Sequence, residues 1–297
     1  MKILSFGSMN IDYFYKLDHI VMPGETISAQ DLTVLCGGKG LNQSIALRKA
    51  GAEVWHAGMI GADGAILKET LEEAGVHTDL ISVSKDAKSG HTIIQVEAAT
   101  GQNSIIYSAG TNGLITKEYI EEVVPHFESG DYAVFQNEIS NTDYAMKKCR
   151  EAGMKVIFNP SPMTKELAES DIFQYVDDLF INEIEGKQMT GTDVPEDILR
   201  IMSEKWPSCR TILTLGAEGS VILSDGEFIR QSAFPCKAVD TTGAGDTFSG
   251  YFTALSSKGT DCRTALEISS KASSLAVRKK GAAASIPLLE EVLSAEF

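Results

Sequence analysis

Nine consecutive residues, Asp240-Thr241-Thr242-Gly243-Ala244-Gly245-Asp246-Thr247-Phe248, place a run of small residues directly before a carboxylate. At a helix N-terminus the unpaired N–H groups of Gly243, Ala244 and Gly245 can point at a phosphate, and small side chains let that phosphate approach the backbone. Asp246 would repel a phosphate, so its chemistry fits a base aimed at an incoming hydroxyl. A plain glycine turn followed by an Asp favoured by the helix dipole is the simpler alternative. A second turn, Cys36-Gly37-Gly38-Lys39-Gly40-Leu41-Asn42-Gln43, offers Lys39 as a donor or charge and Asn42 as an amide that both donates and accepts. It is not a P-loop: G-x-x-x-x-G-K followed by Ser or Thr is absent from the chain, as is G-x-G-x-x-G.

Three more segments carry polar groups at strand or helix ends. In Gly7-Ser8-Met9-Asn10-Ile11-Asp12, Asn10 and Asp12 lie two apart, so in extended backbone they face the same way and can chelate neighbouring hydroxyls. Asn182 and Glu185 are three apart, on one face of a starting helix, where an amide and a carboxylate could orient magnesium-bound water; capping of that helix by Asn182 is the rival account. Arg278-Lys279-Lys280-Gly281-Ala282-Ala283-Ala284-Ser285 is either a source of backbone carbonyls for a cation or a surface loop.

The elements that would position these groups alternate in kind. Strand-like runs at 3–7, 53–59, 132–136, 155–158, 179–182 and 210–215 are separated by helical patterns at 42–50, 65–73, 142–151, 166–170 and 196–205. That rhythm predicts an α/β three-layer sandwich with a mainly parallel central sheet. Gly216-Ala217-Glu218-Gly219 should turn the strand at 210–215 back into 220–223, with Asp225-Gly226 at the far end of the hairpin. Residues 247–256 are apolar at helical spacing, which puts the Gly243 to Gly245 run at a helix start. Two stretches, 13–35 and 89–108, read instead as short alternating strands without a helix between them, the second turning at Ala99 to Asn103. The economical reading is a small β-sheet lid inserted into one core built from 1–12, 36–88 and 109–297; peripheral edge strands are the alternative.

Composition narrows the class. Lys and Arg number 26 against 41 Asp and Glu, a net charge of −15, which would repel nucleic acid and anionic membrane surfaces. Any nucleotide must then be held by local backbone donors and a metal. Hydrophobic content of 43% supplies a core, no apolar run reaches membrane-spanning length, and the first residues enter a probable strand; a cytoplasmic protein is expected. The five cysteines are odd in number and far apart with no CxxC pair, the pattern of buried thiols rather than disulfides or zinc ligands.

Taken together, the motifs resemble the ribokinase (PfkB-type) carbohydrate kinase family from Gly7 to about Pro287, with Gly37-Gly38-Lys39-Gly40 to Asn42 and Asp240 to Asp246 as its two signature regions. The resemblance implies a ribokinase-like core with a β lid that forms a homodimer clasp. It implies Asp246 as the base that activates a sugar hydroxyl and Gly243, Ala244 and Gly245 as the anion hole. Asn10, Asp12, Gly38, Lys39, Asn42 and Glu138 fall on sugar-binding positions. Asn182 and Glu185 fit the NxxE element that organises Mg2+ and phosphate, while Thr214, Gly216, Gly219, Gly245 and Ser270 fall beside the ATP nucleotide. Asp240, Thr242, Ala276, Lys279, Gly281 and Ser285 match the loops that hold an activating monovalent cation, K+. Ser270 stands where relatives often carry another polar residue or His, which puts its adenine contact in doubt.

The expected reaction is transfer of the γ-phosphoryl of ATP to a primary hydroxyl of an unphosphorylated sugar. A sugar phosphate would call for Lys or Arg near its second phosphate, but 89–108 contains neither and 13–35 has only Lys16. D-ribose is the leading substrate by resemblance, from the Gly-Gly-Lys-Gly-x-Asn-Gln turn, Glu138 and the Ala109-Gly110-Thr111-Asn112 segment. Another sugar, such as a ketose or a sugar-amine adduct, or a nucleoside with its base against Tyr13, Phe14 and Tyr15, keeps the same frame. A non-catalytic sugar sensor is the reading from a different class.

Overall fold

Ile3, Leu4 and Phe6 of the first strand are all fully buried, because a parallel strand covered on both faces has no solvent side to alternate with. In the computed structural model, which describes residues 1–297, the chain runs from β1 (Lys2–Phe6) into an excursion formed by β2 (Asn10–Leu17) and β3 (Asp31–Gly37). It returns through α1 (Lys39–Lys49) to β4 (Glu53–Gly61), then α2 (Ala65–Glu73) and β5 (Ile81–Ser84). A second excursion, β6 (Gly90–Glu97) and β7 (Asn103–Ser108), precedes α3 (Lys117–Val123), β8 (Tyr132–Gln136), α4 (Thr142–Glu151) and β9 (Lys155–Asn159). Then come α5 (Lys165–Ala168), β10 (Asp178–Asn182), α6 (Glu183–Thr190), α7 (Pro195–Lys205) and β11 (Arg210–Thr214). The antiparallel pair β12 (Ser220–Ser224) and β13 (Glu227–Gln231) is followed by α8 (Ala244–Ser257), α9 (Cys262–Ala276) and α10 (Leu289–Ser294).

The large sheet has nine strands in the order β13-β12-β11-β10-β9-β8-β1-β4-β5, parallel from β11 to β5. Its two faces feed separate cores. Ile3 packs with residues of α1, α8 and α9, including Leu41, Tyr251 and Leu266, whereas Leu4 and Phe6 pack with α3, α4 and α7 through Ile120, Met146 and Ile198. The expected three-layer α/β sandwich is therefore what the chain forms. All the parallel strands end at one edge, where Gly7, Gln136, Asn159, Asn182 and Thr214 emerge, the edge at which open α/β sheets bind ligands.

The two excursions meet in a separate four-stranded sheet, β3-β2-β6-β7. Its centre is a parallel seam, Asn10 opposite Gly90 through Leu17 opposite Glu97, flanked by antiparallel β3 and β7. Beyond β5, α3 and α10, which the spacing leaves unmarked, two elements depart from the sequence reading. Residues 262–276 form a full helix although no helix is evident there from the spacing, because its serines are tolerated: Ser269 Oγ donates back to the Ala265 carbonyl at 2.7 Å, and Ser269, Ser270 and Ser274 are buried. The turn at 216–219 is a short 3₁₀ segment with Gly219 at φ 103°. No helix is long and apolar enough to cross a membrane, and the five cysteines are all free thiols.

Candidate active site

Gly243 caps the N-terminus of α8 at φ 75°, a left-handed conformation that a side chain would strain, and a Cβ there would lie 2.8 Å from that of Ala282. The helix then opens with its first N–H groups directed away from the fold. Those of Gly243, Gly245 and Asp246 have no protein partner, while that of Ala244 is turned back onto the Thr241 carbonyl at 3.2 Å. Of the three residues expected to form an anion hole, Ala244 thus contributes space rather than a free donor.

Asp246, in the first turn of the helix, is 5% exposed. Its Oδ2 accepts from Asn42 Nδ2 and its Oδ1 from Gln43 Nε2, both at 3.0 Å, so α1 fixes the carboxylate from the far side. Gln43 is held in turn by Gln136 Nε2, which donates to Gln43 Oε1 at 2.7 Å. One donor on each oxygen fixes the orientation of the carboxylate. Asn42 Oδ1 and Gln136 Oε1 are buried without a partner. Lys39 sits close enough that the Asp246 charge raises its ammonium above the ordinary value, against an opposing effect of burial, with Glu138 and Glu185 adding to the rise.

Around Lys39 the polar strand ends converge. Glu138 accepts from the Lys39 N–H at 3.1 Å and from the Ser8 hydroxyl. Burial pushes the Glu138 carboxyl up, and Lys39 and Ser8 pull it back. Asn10 Oδ1 accepts from Asn112 Nδ2 at 2.8 Å, and Asn112 Oδ1 takes the Met9 N–H at 3.1 Å, so a residue beyond the second excursion holds the end of the first strand. Asp12 Oδ1 accepts from Thr92 Oγ1 at 2.5 Å, and burial raises its carboxyl. Asn10, Asp12, Lys39, Asn42 and Glu138 are thereby gathered at the junction of the two sheets, with Asp246 at one end of the group.

On the other side of Asp246 opens a cavity of about 400 Å3, lined by Lys39, Asn182, Glu185, Thr214, Gly216 and the 243–246 helix start among others. It joins a second of about 570 Å3, which shares Thr214, Gly216 and Gly245 with the first and adds Gly219, Phe234 and Ser270. The Asn182–Glu185 pair is spent on helix capping: Asn182 Oδ1 accepts from the N–H groups of Ile184 and Glu185 at 2.9 Å, and Glu185 Oε2 accepts from the Asn182 N–H at 3.0 Å. Glu185 Oε1 accepts from Ser161. Capping and cavity lining are combined here, since the cap locks both side chains at the cavity wall. No group of three or more His, Cys, Asp or Glu side chains is placed to hold a metal, so any cation here must be coordinated largely by a ligand's oxygens, water or backbone carbonyls.

Asp240 ties two loops together. Its Oδ1 accepts from Thr242 N–H and Oγ1 at 3.0 and 2.7 Å, and its Oδ2 from the Gly281 N–H at 3.0 Å. Burial alone would raise this carboxyl, but those hydrogen bonds with Lys280 nearby hold it below the usual range. Ala276, Lys279 and Ser285 lie in the same turn without a bond to Asp240: the Lys279 N–H goes to the Ala276 carbonyl at 3.1 Å and Ser285 Oγ to that of Ala282 at 2.9 Å.

Gln43, Gln136, Asn112, Ser8 and Ser161 complete this geometry, and none stands out as a site residue in the sequence. The available signal was a polar side chain inside an otherwise apolar element: Gln136 ends the fully buried strand β8.

The sequence profile described as pfkB family carbohydrate kinase matches residues 1–289. The ribokinase of Staphylococcus aureus is 32% identical over 301 residues, covering 98% of each chain. Among solved structures, Arabidopsis thaliana ribokinase complexed with ribose and ATP superposes with a TM-score of 0.86 at 31% identity, over 98% of this chain and 97% of that one. Ribokinase from Cryptococcus neoformans in complex with ADP gives 0.84 at 34% identity, over 98% of both. With the profile spanning nearly the whole length and the two signature turns meeting at Asp246, the chain belongs to the pfkB family of carbohydrate kinases.

Proposed function

We propose that this protein transfers the γ-phosphoryl group of ATP to a primary hydroxyl of an unphosphorylated sugar, D-ribose giving ribose 5-phosphate. The observation that carries the reading is the position of Asp246: a buried carboxylate held by Asn42 and Gln43, between a polyol-sized group of polar side chains and a cavity rimmed by free helix-end N–H groups. Asp246 accepts the proton of the hydroxyl aligned on the phosphoryl group, and the N–H groups of Gly243 and Gly245 take up charge on its oxygens. Lys39, kept protonated beside Asp246, adds a positive charge at the same boundary. Asn10, Asp12, Asn42 and Glu138 orient the sugar, and the small sheet covers it as a lid. Thr214, Gly216, Gly219 and Ser270 lie along the nucleotide.

Magnesium, when bound, neutralises phosphate charge; the locked Asn182–Glu185 pair suits it through water, in keeping with the lack of an acidic cluster. A monovalent cation such as potassium fits the loop pair clamped by Asp240, where it would stiffen the turn leading into α8. The exposed apolar residues Leu32, Val34, Ile105 and Ile106 on the lid's edge strands suit a second copy of the chain, giving a homodimer.

The lid favours a sugar over a nucleoside. Tyr13 and Tyr15 point to the opposite face of β2 from Asp12, with Tyr13 packed on the core and edge-on to His91, which leaves Phe14 alone of the three on the Asp12 face, so the aromatic run does not form a single base slot.

The test is ADP release from MgATP, in potassium and then sodium buffer, with D-ribose, fructose, psicose, fructose 6-phosphate and adenosine as acceptors. Preference for ribose with faster turnover in potassium supports the whole reading. Equal rates in the two salts remove the cation assignment, and activity on a different acceptor relocates the error to the sugar group.

A further inference from the structure

The face of the small sheet that carries Asn10 and Asp12 continues across both excursions. Strand register aligns Leu35, Asp12, Thr92 and Tyr107 in one row over β3, β2, β6 and β7. Alternation along each strand puts all four on the side of Asn10. At one end of the row Leu35 reaches to 4.0 Å from where a Cβ on Gly281 would stand, beside the Asp240 loop. Asp12 and Thr92 are bonded to each other in the middle. The row therefore roofs the polar group, and its other end is Tyr107.

The phenol of Tyr107 keeps bonding capacity. Its protein partner is the Asn112 side chain, which also serves Met9 and Asn10, so the hydroxyl of this half-exposed residue can still donate to or accept from a ligand. Burial and then the charge of Glu138 push the phenol above its ordinary range, and the hydrogen bond with Asn112 opposes them. A phenol can donate and accept, whereas ionised Glu138 only accepts. A hydroxyl placed between them finds an acceptor on one side and either role on the other, which is the arrangement for a sugar alcohol and not for an apolar ring edge.

We propose that Tyr107 is a specificity-determining residue that hydrogen-bonds a ring hydroxyl of the sugar from the lid, opposite Glu138. The assignment rests on the sugar-kinase reading of this site. A pocket built to satisfy a hydroxyl discriminates against an analogue lacking it, because the protein group is then left unpaired.

Tyr107→Phe removes the hydroxyl and keeps the ring. With ribose as acceptor, the sugar KM is expected to rise about tenfold, the size of one net hydrogen bond, while kcat, the KM for ATP and the melting temperature stay within twofold or unchanged. Against 2-deoxyribose and 3-deoxyribose, the penalty of Tyr107→Phe should vanish for the analogue that lacks the hydroxyl being read. Tyr107→Ile should repeat the rise in sugar KM. A sugar KM within twofold of wild type in both variants overturns the assignment while leaving the kinase reading intact. An equal penalty on ribose and on both deoxy analogues also overturns it, since that is the mark of a packing role. Absence of sugar turnover by the wild-type protein takes down the kinase reading and this assignment with it.

Discussion

Asp246 does not act alone; its two oxygens are each given one amide donor, and both donors come from adjacent residues of α1. Asp246→Asn is expected to lower kcat by roughly 10²–10⁴-fold with an unchanged circular dichroism spectrum, and near-normal turnover would remove Asp246 from the proton-transfer role. Asp246, Asn42 and Lys39 are legible in the sequence because each sits in a short run whose composition already suggests its task. Gln43 and Gln136 are not, since a glutamine's task is set by partners distant in sequence, here 203 and 93 residues away. The same holds for Asn112, whose bonds to Met9 and Asn10 span more than a hundred positions. His56, fully buried and paired with Ser44 at 2.7 Å, is another residue whose behaviour only the fold determines. Burial drives its imidazole down to about 3 from the usual 6.5. Below pH 6.5 the unfolded chain therefore binds a proton that the folded chain refuses, and stability falls toward acid by up to about 1.4 kcal/mol per pH unit from this group. Denaturant melts from pH 7 to 5 should show a slope in His56→Gln shallower by one proton than in wild type; equal slopes would mean that folded His56 titrates normally.

Among the elements, α1 and α8 must lie close enough for two side chains of one helix to reach a carboxylate on the other. Gly250 makes that approach possible: a Cβ there would stand 2.5 Å from Ala46 Cβ and 3.0 Å from the Leu47 nitrogen. Gly250→Val is expected to cost about 1–3 kcal/mol by overpacking, read as a lowered melting temperature, and to reduce kcat because the helices separate at Asp246. A variant as stable as wild type would show that the helix pair has slack. Sequence periodicity locates six of the seven parallel strands, with α2, α4, α5 and α7, within two residues, since buried runs of Ile, Val and Phe such as 132–136 and 155–159 have few other uses. It does not reveal α9, whose four serines read as loop until α8 is packed against it. It also leaves the Asn182–Glu185 pair undecided, because a capping box and a ligand-orienting pair have the same spacing.

For the molecule as a whole, a charge of −15 opposes an anionic nucleotide at long range, so on the proposed reading it would be admitted through local donors at the start of α8 with Lys39 as a nearby cation. The small sheet presents Ile105 and Ile106 57% and 56% exposed on its outer strand β7. Size-exclusion with light scattering should return the mass of two chains, and Ile106→Asp combined with Leu32→Asp should return one; a wild-type monomer would dispose of the homodimer. The parallel seam between β2 and β6 joins residues 80 positions apart, as Asp12 and Thr92 are. Closing so large a loop carries an entropic cost that is repaid only by contacts made at its end. The roof over Asn10 and Asp12 belongs to a four-stranded sheet whose outer strands β3 and β7 are largely exposed, so it is expected to open ahead of the buried core. Amide exchange in β2 and β6 should report openings well below the global free energy of unfolding, and a bound sugar that bridges the two excursions should slow that exchange selectively.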